Sequence, residues 1–90
     1  MRFAVHVEVS GLEQIADPEG QTIERALPAL GFEGVDHVRV GKVVRFELEA
    51  DDAASAQARG EELCRRLLAN PVIERGEVTV SALPAAAGAS

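Results

Sequence analysis
Ninety residues carry 15 aspartates and glutamates against nine lysines and arginines, a net charge of −6, with only three aromatic residues. That allows one small domain burying roughly 60–65% of its unfolded surface, gives phosphate backbones and anionic lipid no electrostatic hold, and leaves no rings free to stack on bases. A single cysteine excludes an internal disulfide or a Cys-x-x-Cys clip, and the lack of an 18-residue apolar run excludes a spanning helix, so a reducing cytoplasmic setting is expected.

The opening MRFAVHVEVS alternates instead of forming an apolar signal core. Phe3, Val5, Val7 and Val9 recur with period two, which predicts a half-buried strand ended by Ser10 and Gly11. In ADPEGQTIERALPALGF, Asp17 is an N-cap, Pro18 falls at the first helical position and Glu19 complements the helix dipole. Ile23, Ala26, Leu27 and Leu30 make one apolar stripe, and Gly31 closes the helix as a left-handed cap. Pro28 removes a ladder bond and predicts a kink or a shortened last turn.

Residues 35–50 read as two strands. A two-residue Gly41-Lys42 turn would put Val38 and Val40 on the face opposite Val44, Phe46 and Leu48. A bulge at Gly41, with positive φ, brings all five to one face, so a Gly-bulged hairpin is expected. A second helix follows over about 52–69, capped by Asp51 or Asp52, with Ala56, Gly60, Leu63, Cys64, Leu67 and Leu68 as its buried stripe. Asn70 and Pro71 stop it. A last strand runs from Val72 to Ala82, with Val78 and Val80 inward and Gly76 a possible bulge. Residues 1–82 form a single domain in this reading, and the 83–90 tail, LPAAAGAS, is expected to be disordered. The predicted order β-α-β-β-α-β gives an α+β fold: a four-stranded antiparallel sheet with two helices on one face, ferredoxin-like or a close variant.

No catalytic constellation emerges. Lys42, with Arg39 and Arg45 nearby, has no Gly-rich loop opening onto a helix to make a phosphate cradle. His6 and His37 lack a third metal ligand, and Cys64 sits in a helix stripe as a small hydrophobe. The carboxylate pairs Asp51-Asp52 and Glu61-Glu62 serve capping and solubility. The expected catalytic, cofactor and metal sets of this chain are therefore empty. A regulatory domain of the ACT type, binding small molecules at subunit interfaces, is the alternative these residues leave open.

DPEGQTIERALPALGF, VDHVRVGKVVRFELEA and ELCRRLLANPVIERGEVTV together closely resemble the PurS family, the small subunit of phosphoribosylformylglycinamidine synthase, over about residues 1–82. The Asp-Pro-x-Gly helix start, the Val-Arg-x-Gly-Lys stretch and the Leu-Ala-Asn-Pro-Val-Ile segment carry the resemblance. Pro28 and the longer lead-in SGLEQIADPEG depart from the pattern. The resemblance implies a noncatalytic assembly subunit of an enzyme that aminates formylglycinamide ribonucleotide in purine biosynthesis. That enzyme uses ATP, magnesium and glutamine. The implied partners are a second copy of the chain (dimer or tetramer), a large synthetase subunit and a glutaminase subunit, with neither nucleic acid nor membrane. The subunit would bridge the two larger ones and support ammonia transfer. Arg39, Gly41 and Lys42, at the expected hairpin bend, are the expected partner contacts.

Overall fold
A computed structural model describes residues 1–84. The alternating apolar residues of the N-terminus form the central strand β1 (Arg2–Gly11). It is flanked on both sides by antiparallel strands, β2 (Gly41–Glu49) and β3 (Glu74–Ala82), giving the sheet order β2-β1-β3. Two helices join them: α1 (Pro18–Ala26) between β1 and β2, and α2 (Ala53–Leu63) between β2 and β3. The sheet has three strands, not the four expected, although the α+β class holds.

The missing strand is the one expected over residues 35–40. Its backbone donors are committed to side chains of the first helix. The Val38 N–H donates to Glu24 Oε1 at 3.1 Å, and the Val40 N–H donates to Asp17 Oδ2 at 2.7 Å. His37 takes a left-handed conformation, φ 57°, which breaks an extended run. With those groups taken and the run broken at His37, residues 35–40 form no ladder with β2. Gly41 is therefore not a bulged turn with positive φ. It opens β2 opposite Ser10, where a Cβ would strike the Val9 carbonyl oxygen.

The register places Phe3, Val5, Val7 and Val9 on one face with Val44, Phe46, Leu48, Val78 and Val80. Phe3, Val5, Val7 and Val9 are fully buried, as period-two alternation predicts. The α2 helix lies on this face, against β3 and β1. Asp52 caps it, accepting from the Ser55 N–H at 2.8 Å. Two glycines allow the close approach. A Cβ on Gly60 would stand 2.9 Å from Val78 Cγ1, and one on Gly76 would overlap Cys64 Sγ. Gly76 is thus no bulge: it sits in register opposite Val9 and makes room for the buried Cys64. After Leu63 the helix widens into a π turn, Cys64–Leu68, which rotates Leu67 outward to 74% exposure, whereas the sequence stripe had placed it inside.

The first helix behaves differently. It ends at Ala26, and a 3₁₀ turn over Pro28–Leu30 follows, capped by Gly31 at φ 91°. This is the shortening that Pro28 predicts. The expected burial of its stripe does not occur: α1 makes no substantial contact with any strand, and Ile23 and Leu30 are 42% and 69% exposed. The chain is correspondingly long, 51 × 32 × 16 Å with a radius of gyration of 17.4 Å, against roughly 12 Å for a compact domain of this length. Of the expected tail, residues 85–90 lie outside the described residues. The Leu83 N–H donates to the Arg2 carbonyl at 3.0 Å.

Candidate functional site
The corner where α1 meets residues 38–40 is densely bonded. Asp17 caps α1 through Oδ1, which accepts from the Gly20 N–H at 3.0 Å. Its other oxygen accepts from the Val40 N–H, and Arg39 Nε stands 3.8 Å away. The two backbone donors, at Gly20 and then Val40, hold the Asp17 carboxyl below the usual aspartate range, with a smaller contribution from the Arg39 charge. Arg39 Nη2 donates to the carbonyls of Leu12 (2.9 Å) and Ile15 (3.1 Å). Gly20 is buried, and a Cβ there would collide with the Val38 carbonyl oxygen.

Of the three residues expected to contact partners, Arg39 thus faces inward to the α1 lead-in. Gly41 lies at the start of β2. Lys42 is exposed on β2, opposite Val9 in the ladder. The three line one shallow cleft with Glu8, Val9 and Ser10. The structure does not bring the two histidines into one cluster. His6 sits in the sheet between Arg45 and Thr79, on the face opposite α2, while His37 Nδ1 is 3.0 Å from Asp36 Oδ1 in the loop. No group of three or more metal-ligating side chains is gathered among the described residues.

Two apolar surfaces remain open. One is the α1 arm: Ile23, Leu30, Phe32 and Val35 are all more than 40% exposed. The arm is acidic, with six carboxylates against Arg25 over residues 12–37. The other is the β2 side of the sheet, with which α2 makes no substantial backbone contact. There Phe46, Leu48 and Leu63 line a trough of about 420 Å³, with Glu47, Arg59, Glu62 and Arg66 around it and Arg66 paired to Glu62 at 3.3 Å. The outer edge of β2, where a strand over 35–40 was expected, also has no neighbour among the described residues.

The Asp-Pro-x-Gly start is legible in the sequence as a family mark, but the roles of Gly20 and of the second Asp17 oxygen emerge from the structure. The signal was present: a glycine inside the first turn of a helix marks a close backbone approach.

Residues 4–82 match the family model described as "PurS: Phosphoribosylformylglycinamidine (FGAM) synthase". A PurS subunit from Mycobacterium leprae is 44% identical over 78 residues, 87% of this chain and 92% of that protein. One from Methanothermobacter thermautotrophicus is 36% identical over 81 residues, 90% and 95% of the two chains. Thermus thermophilus PurS superposes with a TM-score of 0.81 at 32% identity, covering 93% of this chain and all of that one. A chain of the Thermotoga maritima PurLQS structure also gives 0.81, at 33% identity, covering 90% and 99%.

Proposed function
The chain belongs to the PurS family, and from that premise we propose that it acts as the joint between the two larger subunits of its enzyme. It is a noncatalytic subunit of phosphoribosylformylglycinamidine synthase, the glutamine-hydrolysing, ATP-dependent ligase of purine biosynthesis. The likeness to a chain of PurLQS, over nearly the whole of both chains, is the observation that carries the reading. It supersedes the ACT-type alternative. In our proposal a large synthetase subunit uses ATP and magnesium, a glutaminase subunit releases ammonia, and this chain bridges them in the cytoplasm so that ammonia passes without escaping. Lys42, exposed beside Gly41 and held opposite Val9 in the ladder, is the proposed point of contact with a larger subunit.

We further propose that the chain works as a two-fold dimer. The open β2 edge suits antiparallel pairing with a second copy. An axis through Phe46 would set Val44 opposite Leu48 and Arg45 opposite Glu47 of the other copy, joining apolar to apolar on one face and opposite charges on the other. The apolar stripe of the α1 arm then has a complement in the second copy's Phe46–Leu48–Leu63 trough. Burying Leu30 alone there contributes about 1.5–3 kcal/mol.

Reconstitution tests the function. Amination by the large and glutaminase subunits is expected to need this chain when glutamine is the nitrogen source and not when ammonia is supplied. A full glutamine-driven rate without the chain would overturn the reading.

A further inference from the structure
A glycine in the first turn of a helix weakens it unless something needs the space. At Gly20 the Val38 carbonyl takes that space. Around the contact, Asp17 ties the Gly20 and Val40 amides to one carboxylate, Glu24 takes the Val38 amide, and Arg39 takes the Leu12 and Ile15 carbonyls. The two connecting segments, before and after α1, are therefore fixed to each other along one side of the helix, from its cap Asp17 to Glu24 in its last turn. The far end, through Leu30 and Phe32, is exposed and touches no strand substantially.

We propose that Asp17 and Gly20 are positioning residues whose clasp holds α1 off its own sheet and aims its apolar stripe at a second copy. This rests on the self-association reading above. With the clasp closed, the residues on either side of α1 cannot rotate the stripe back over Val44, Phe46 and Leu48 of the same chain. The stripe is then buried only in trans. Asp17 does two separable things. One oxygen caps the helix and the other grips Val40, so an asparagine retains a capping acceptor while one of the two backbone donors faces an amide nitrogen instead.

Three variants of the full chain separate these roles: Asp17→Asn, Gly20→Ala and Leu30→Glu. Dimer dissociation is measured by analytical ultracentrifugation, amide exchange at Val40 and Val7 by NMR, and helix content by circular dichroism. Asp17→Asn is expected to weaken association at least tenfold and speed exchange at Val40, with Val7 protection and helix content unchanged. Gly20→Ala is expected to do the same by steric means. Leu30→Glu is expected to abolish association while Val40 stays protected. If Leu30→Glu leaves association intact, or the parent chain is monomeric, the self-association reading falls. If Leu30→Glu breaks the dimer while both clasp variants keep Kd within tenfold, or leave Val40 protected, the clasp proposal alone falls. Loss of Val7 protection in both clasp variants would assign Asp17 and Gly20 to general stability and overturn their positioning role.

Discussion
The two helices differ in what holds them. The α2 helix lies on β1 and β3 with Ala56, Gly60 and Cys64 buried, and glycines at positions 60 and 76 let helix and sheet close on each other. The α1 helix is bound by polar contacts from Asp17 and Glu24 along one side and keeps its apolar stripe in solvent. Apolar packing is cooperative and non-directional, so it makes one half of the chain a core. Hydrogen bonds contribute less net free energy but fix direction. They suit a helix that must be held at a set angle to its own sheet.

Mutations can test this contrast, starting with the deepest residues. Phe3→Ala is expected to cost about 3–5 kcal/mol in urea unfolding, because Phe3 is 2% exposed. Leu30→Ala, at 69% exposure, should move the stability of the monomer by less than about 0.5 kcal/mol. Equal losses for the two would erase the distinction between the halves. Gly76→Ala drives a methyl into Cys64 Sγ and is expected to cost about 1–3 kcal/mol. Pairing it with Cys64→Ala should recover part of the loss, and an absence of recovery would place the strain elsewhere.

Charge reversal at Lys42 probes the partner-facing side. Lys42→Glu should leave folding unchanged and weaken complex formation by about 1–3 kcal/mol, measured by calorimetry against the larger subunits. Unchanged affinity would remove Lys42 from the interface. The mildest test is pH. Asp17 and Asp52 are both held below the ordinary aspartate range, Asp17 by the Gly20 and Val40 amides and Asp52 by the Ser55 amide and hydroxyl. A depressed folded value means stability that is fully present above the unfolded value of about 3.9 and lost as pH falls through the lower folded value. Stability is thus expected to be insensitive to these two groups between pH 5 and 7 and to decline below about 4. Val40 exchange, corrected for its intrinsic rate, should rise in that range before Val7 exchange does. A simultaneous rise would show that the clasp and the core open as one unit.

Several features were legible residue by residue because their causes are local. Period-two valines gave β1, Asp17-Pro18 gave the start of α1, Pro28 gave its early end, and the Ala56, Gly60 and Cys64 spacing gave the packed face of α2. The stretch from Val38 to Lys42 was misleading for the same reason. It alternates like a strand and contains Gly-Lys like a turn, yet its amides are claimed by Asp17 and Glu24, which lie 23 and 14 residues earlier in the chain. Gly76 looked like a bulge because nothing adjacent in sequence announces the sulfur that needs its space.

The amino-acid order by itself determined β1 with its buried face, the two helices and the family, since each depends on side-chain spacing and short motifs along one stretch of chain. Tertiary structure alone decided that the sheet has three strands and that α1 stands away from it. Those outcomes turned on which distant side chain reaches a given backbone N–H first, a competition between non-local hydrogen bonds that no periodicity records.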